Sequence, residues 1–410
     1  MANTFITPTW VLKDVARVAV NMLKFAANIE RWYDDKYKVG GAKAGYTVSG
    51  RLPQRFRTTK GQAFQAQPIN DQVVPVTLTD QANIATSWST ADATMVIEDV
   101  RRRYINPAAE QLANTIDYDG LNRLTPTVWK SEGTPGVTPT SRATFLNAGA
   151  RLTKVAVPLD GRVATLDPSA MVGLVQDTLT LFNPSATISE NYRTGQFGRN
   201  ALGVSEWYQD QNIYTHTTGS FASSTPLVFG ASQTGSSLIT NGWVTATLNK
   251  GDVFTVAGVY EVNPQNYGTT SKLQQFVVTQ TVSDTAGSMT IPIAPPIIPD
   301  GNLQTVTASP ANGAALIPLG STITTGAGTM AATASPQSLI FHPEAFVLAM
   351  ADLDAELPGA EVTRVADNEL NVSLRYVRQY HIGTDQKMAR IDALYGFKDF
   401  RPDWAVRIWG

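Results

Sequence analysis

Three histidines are the only side chains in this 410-residue sequence whose ordinary pKa lies near neutrality, and cysteine is absent. A general base or a metal centre needs convergent partners, yet His216, His342 and His381 stand far apart in three unrelated contexts. None has a carboxylate or serine at motif spacing. His342 precedes a proline, where capping or packing accounts for it. The densest acid cluster is Asp352-Leu353-Asp354-Ala355-Glu356. It lacks the glycine and the later glutamate of a calcium loop, so it reads as a solvated face. Gly195-Gln196-Phe197-Gly198 and Gly40-Gly41-Ala42-Lys43 are glycine-rich, but neither has the full spacing of a phosphate loop. No GxSxG elbow occurs. The residues therefore predict no catalytic group, no cofactor and no bound metal: a protein that is not an enzyme.

At 43% hydrophobic the chain is long enough for two or three cores, and no apolar run is long enough to span a membrane. The N-terminus lacks the compact apolar core and cleavage site of a secretion signal. The formal charge of −2 conceals a gradient. Residues 1–60 carry eleven Lys/Arg against four Asp/Glu, whereas residues 61–122 carry three Arg against eight acids. Complementary blocks suit contacts between copies of one chain; solvated faces that never meet are the alternative. Nucleic-acid motifs are missing, so the basic N-terminus would attract a phosphate backbone only diffusely.

The organising stretch is Ser89–Arg123, where Ile97, Val100, Tyr104, Leu112 and Ile116 keep one helical side apolar. Glu98, Asp99, Arg101, Arg102 and Arg103 fill its other faces. Asn106-Pro107 interrupts it, which predicts a bent helix or two in tandem. Upstream, residues 7–29 read as an amphipathic helix, with Val11, Val15, Val18, Met22 and Ala26 at steps of three and four. Asp34–Gly45 is a polar, glycine-rich joint. Residues 46–80 read as a hairpin whose limbs of about ten residues, at ~3.3 Å each, reach roughly 30 Å. Pro53 and Pro75 confine both limbs to edges. The tip, Thr58–Gln72, is too polar for a core and makes sense under a partner chain; a disordered loop is the alternative.

Residues 123–220 alternate helix and strand. A helix is expected at Thr140–Leu152, strands at Val155–Leu159 and Arg162–Leu166, and a helix from Asp167-Pro168 with Met171, Leu174 and Val175 inward. Tyr192–Gly203 is a loop, and Val204–His216 is extended. From Phe221 to Pro336 there are only two Lys and four acids, with short β runs at Trp243–Leu248, Val253–Tyr260, Phe276–Val282 and Met289–Ile293. That spacing suggests a small inserted antiparallel barrel. Beyond Ser338, a helix is expected after His342-Pro343 with Phe346, Val347 and Met350 inward. Strands then follow at 370–376, Lys387–Gly396 and Ala405–Trp409.

Taken in order, these parts resemble the tailed-bacteriophage major capsid proteins, specifically the short-tailed-phage coat branch with an inserted domain. The resemblance rests on SWSTADATMVIEDVRRRYINPAAEQLAN (87–114), VPLDGRVATLDP (157–168), YRTGQFGRNALG (192–203), LNKGDVFTVAGVY (248–260) and RIDALYGFKDFRPDWAVRI (390–408). It implies an α+β fold with an N-terminal arm (1–45), an extended hairpin loop (46–88) and a spine helix (89–124). A peripheral and axial α+β core would occupy 125–220 and 337–410, with a β-barrel domain inserted at 221–336.

The resemblance further implies self-assembly into hexamers and pentamers of an icosahedral procapsid that expands as double-stranded DNA enters. Its partners would be itself, a scaffolding protein, a portal, non-specifically held DNA at the inner surface and, as a further candidate, a decoration protein, with assembly in the host cytoplasm. On that reading Arg51, Arg55, Phe56, Arg57, Lys60 and Phe64 meet the neighbouring subunit, and Gly40, Gly41 and Gly45 form a hinge. A different class is left open by the residues alone: a β-rich surface or carbohydrate-binding protein using the hydroxyl- and aromatic-bearing 221–336 module.

Overall fold

A computed structural model describes residues 23–33, 47–58, 60–61, 66–67, 69, 71–89, 106–179, 201–324, 326–354, 357–367 and 372–410. The chain divides into two compact units: residues 1–52, 73–120 and 346–400 form the first, and 53–72, 121–345 and 401–410 the second. This division cuts through the expected 337–410 segment and separates the hairpin's base from its tip. The expected N-terminal helix falls mostly outside the described residues. Within them, residues 23–29 make a turn, with Asn28 N donating to Phe25 O at 3.0 Å, and Glu30–Tyr33 is a strand.

The first unit is built on one sheet with strand order Glu30–Tyr33, Phe346–Ala351, Gln386–Asp399, Val372–His381, Glu361–Asp367, and Asp80–Ser89 pairs along Gln386–Tyr395. One expectation is corrected here. The run after His342-Pro343 is no helix: a single 3-10 turn, Pro343–Ala345, leads into the strand Phe346–Ala351. All six residues of FVLAMA are buried. A short apolar run covered on both faces is a buried strand, and helical periodicity cannot reveal that. Upstream, the strand Asp80–Ser89 is described to Ser89, and a helix, α1, is described over Asn106–Leu124, the second half of the expected spine. Residues 90–105, with Glu98, Asp99 and Arg101–Arg103, lie outside the described set.

Helix α1 buries Ala109, Leu112, Ala113 and Ile116. A Cβ on Gly120 would stand 2.9 Å from the Phe397 ring and 3.1 Å from Phe25, so only glycine allows this approach. Asp117, 3% exposed, accepts from the amides of Lys24 (2.7 Å) and Ala26 (2.8 Å), tying the N-terminal turn to the helix.

The core sheet of the second unit has the order Ser131–Gly133, Ala405–Trp409, Ala334–Phe341, Val163–Leu166, Glu206–Gln209, with Thr215–Thr217 on Ala334–Pro336. Helix α3 (Pro168–Leu179) starts at its expected Asp167-Pro168 signal, and α2 (Arg142–Lys154), expected over Thr140–Leu152, is capped by Ser141. Phe145, Ala148, Leu152, Met171 and Leu174 from these helices share a core with Ala164, Leu166, Ile340, Val406 and Ile408 of the sheet. Val155–Leu159 is a turn instead of the expected strand, with Ala156 at φ 61°. Arg162, in the same stretch, caps the end of α2 by donating to the carbonyls of Gly149, Val157 and Pro158.

Residues 221–330 hold a second core around Leu238, Leu248, Val256, Phe276, Val278, Ile291, Val306 and Leu316, each 0% exposed. A six-stranded antiparallel sheet encloses it: Leu227–Val228, Gly235–Asn241, Ser288–Ile297, Thr269–Val278, Val253–Val262, Leu316–Pro318. Of the expected Trp243–Leu248 strand, only Thr247–Leu248 is extended. Val228 N donates to Ala314 O (2.9 Å) and Leu316 N to Pro226 O (3.0 Å), so the first strand also bonds the segment entering the last.

Candidate assembly surface

The hairpin begins in the first unit as an antiparallel ladder of Thr47–Arg51 on Val73–Thr77. Its limbs are five residues each, half the expected length. Burial fixes the root: Val76 and Leu78 are 0% and 2% exposed, clustered with Val347, Ala349 and Ala351. Trp32 stands edge-on to Phe400 at 5.1 Å, and a Cβ on Gly50 would come within 2.0 Å of the Trp32 ring. Glycine at 50 is what lets the strand pass over that indole. Arg51 closes the ladder opposite Val73 and makes interactions of its own.

Residues 53–72 belong to the second unit, and there two of the expected inter-subunit residues bind their own chain. Arg55 pairs with Asp403 at 3.2 Å. Arg57 donates from Nη1 to Asp300 (3.1 Å) and from Nη2 to Gln304 Oε1 (2.7 Å), with its guanidinium 4.5 Å above the Tyr267 ring centre. The Tyr267 hydroxyl donates to Asn302 O at 3.0 Å, and the Arg57 amide donates to Gln67 Oε1 at 2.8 Å. Asp300 is held below the usual carboxylate pKa, first by the Gly301 amide and then by Arg57. Arginine suits this role because its planar fork engages two acceptors while its face stacks on an aromatic ring.

Around these clasps several described residues stay open to solvent. Phe56 is 62% exposed, Ile69 76% and Val73 50%. Lys60 is exposed as well. Phe64 and the expected hinge glycines Gly40, Gly41 and Gly45 lie outside the described residues. The acids that receive the arginines were not singled out from sequence. Asp300-Gly301 looks like any turn, and Asp403 follows a proline; nothing local marks either as an arginine partner.

The residues that first suggested chemistry are accounted for structurally. His216 is 1% exposed, with Nε2 2.8 Å from Asp252 Oδ1, and Asp252 also accepts from the amides of Gly219 and Asn249. His342 lies edge-on to Trp404 at 5.0 Å, and burial lowers its pKa. His381 is exposed beside Thr384. Asp352 is buried on Ser373 Oγ at 2.5 Å, with Arg364 3.7 Å away, so it is no solvated face. Among the described residues no group of three or more His, Cys, Asp or Glu is placed to hold a metal, and no helix is long and apolar enough to cross a membrane. Of the aromatic residues that made 221–336 a candidate glycan platform, Phe221, Trp243, Phe254 and Phe276 are core, while Phe229 and Tyr260 are exposed.

A family model described as P22 coat protein, gene protein 5, matches residues 9–410. Among solved structures, one titled Mycobacterium phage Che8 aligns at 14% identity and TM-score 0.44, covering 94% of this chain and 90% of that one. The capsid structure of the cyanophage P-SCSP1u aligns at 11% identity and TM-score 0.43, covering 94% and 88%. The asymmetric unit of the bacteriophage PhiM1 mature capsid aligns at 10% identity and TM-score 0.43, covering 100% and 89%. No curated protein matches the sequence.

Proposed function

Since the chain belongs to the P22 coat protein family and is a capsid-forming protein of the phage virion, we propose that its hairpin tip is the element by which one subunit covers the next. One observation carries this reading. Residues 53–72 are clasped to their own unit at Arg55 and Arg57 and still expose Phe56 and Ile69, and Val73 at the end of the ladder is exposed as well. A two-stranded hairpin with apolar residues left in water is marginal unless something covers it. A second copy of the chain supplies that cover, and repetition gives a lattice in which many weak contacts add through multivalency.

On this reading the shell is made of hexamers and pentamers that close as an icosahedral procapsid and expand on packaging. A scaffolding protein guides assembly, a portal occupies one vertex, and a decoration protein is a further candidate partner. DNA is held non-specifically by the basic N-terminal arm, residues 1–45. The sheet at 227–318 acts as the inserted barrel of the subunit. Its support is the separate core and the hydrogen bonds of Val228 and Leu316 that join first strand to last.

The test is deletion of residues 58–72 with a short Gly-Ser closure. Shells should disappear from electron micrographs while the subunit's unfolding midpoint stays within a few degrees. Normal shells from the deleted chain would refute the assignment.

A further inference from the structure

The sheet of the first unit ends on strands of unlike character. Glu361–Asp367, at one edge, carries Glu361, Arg364 and Asp367. Glu30–Tyr33, at the other, is four residues long and begins Glu30-Arg31. Short length and charge are how native sheets keep an edge from pairing with another chain. Asp80–Ser89 has neither protection. It is ten residues long, and beyond Asp80 its sequence, QANIATSWS, holds no charge and no proline. Its register with Gln386–Tyr395 runs unbroken from end to end, so no bulge turns the edge away.

Only one side of Asp80–Ser89 is occupied. Among the described residues no strand pairs with its other side, and no loop backbone bonds to it. In an antiparallel ladder alternate residues direct both N–H and C=O toward the partner strand, so the residues between them direct theirs outward. Gln81, Asn83, Ala85 and Ser87 on one face are exposed, and so is Thr86 on the other. Ala82 and Ile84, half-buried opposite Ala393 and Ile391, hold the strand to its sheet. Such an edge fits an extended backbone with small, neutral side chains.

The chain itself supplies that match. A capsid-forming protein is surrounded by copies of itself. Among the described residues every other outermost strand of a sheet is shorter, so the long neutral edge that a second copy presents is Asp80–Ser89 again. Antiparallel pairing also separates the strand's single charge, because the two Asp80 carboxylates then lie at opposite ends of the joint ladder.

We propose that Asp80–Ser89 pairs antiparallel with Asp80–Ser89 of a second copy, joining two sheets into one across a two-fold axis. The axis stands normal to the sheet, because only that rotation reverses the strand and keeps each face on its own side. One residue near the middle therefore lies opposite its own copy, with Cβ atoms about 4.5–5.5 Å apart. This contact is additional to the hairpin tip.

The chain holds no cysteine, so single cysteines installed in turn at positions 81–87 report on that axis. In oxidised shells a disulfide-linked dimer should form at one position and not at its immediate neighbours, whose copies stand roughly 8 Å apart and out of disulfide reach. Residue-resolved hydrogen exchange on the unaltered chain gives a second reading, and it decides alone where a cysteine variant fails to assemble. In the dilute subunit alternate amides of residues 81–89 should exchange freely, and in shells those same amides should slow at least about tenfold. Exchange at residues 54–58 reports the hairpin tip separately, which distinguishes failure of one contact from failure of the other. The proposal is overturned by shells that link at no scanned position, or by outward amides as fast in shells as in the subunit. It is equally overturned by amides already slow in the dilute subunit, which would put a segment of the same chain on this edge.

Discussion

Replacing Arg57 with alanine should free the hairpin tip without unfolding the domain it rests on, and the size of the effect follows from three contacts. The ion pair with Asp300 joins side chains 39% and 86% exposed, so water screens it and it adds little. The bond to Gln304, at 2.7 Å with an acceptor only 9% exposed, contributes about 1.5 kcal/mol as a hydrogen bond from a charged donor. Stacking on Tyr267 adds about 0.5–1 kcal/mol. Such contributions do not sum fully, and a net loss of about 2 kcal/mol corresponds to an opening constant larger by roughly 30-fold. Hydrogen exchange read by mass spectrometry on the unassembled subunit measures it. Amides of residues 54–58, including the Arg57 amide that donates to Gln67, should exchange some ten- to fifty-fold faster. Amides of Val253–Val262 and Thr269–Val278 should keep their protection, because Arg57 is no part of that core. Arg57→Lys should fall between, since an ammonium keeps the charge but loses the fork and the stack. Unchanged exchange at 54–58 in Arg57→Ala would show that the clasp does not hold the tip.

Asp117→Ala removes the acceptor of two amides, one of them buried at Ala26, and should cost about 2–4 kcal/mol in urea unfolding; a loss under 0.5 kcal/mol would deny the tie between residues 24–26 and α1. Burial holds the His342 pKa below its unfolded value of 6.5. The unfolded chain therefore binds the extra proton first, and stability is lost as pH falls from 6.5 toward the lower native value. His342→Phe, which keeps a ring against Trp404, should flatten that part of the pH profile of unfolding; an unchanged slope would assign it elsewhere.

Much of the fold could be read locally, and the misses share a cause. Asp167-Pro168 announces α3, Ser141 caps α2, and the last strand is an apolar run closing the chain; each signal lies within a few residues of what it specifies. Phe346–Ala351 was misread because a short run buried on both faces carries neither period. At the candidate surface the basic residues were legible and their partners were not. Arg57 and Asp300 stand 243 positions apart, and Arg55 and Asp403 are 348 apart, so only the fold brings them together. His216 has its partner in Asp252, 36 residues away, which has no motif to announce it. Arg407 sits in an apolar strand, and nothing in its neighbours tells that its charge is fully buried.

The central claim is that the exposed part of the hairpin tip is covered by another copy of the chain. Phe56, 62% exposed, is the place to ask. A benzophenone-bearing residue installed at position 56 and illuminated in assembled shells should give covalent dimers between subunits, and none in the dilute, unassembled subunit. Shells that form normally but yield only adducts within a single chain would contradict the account.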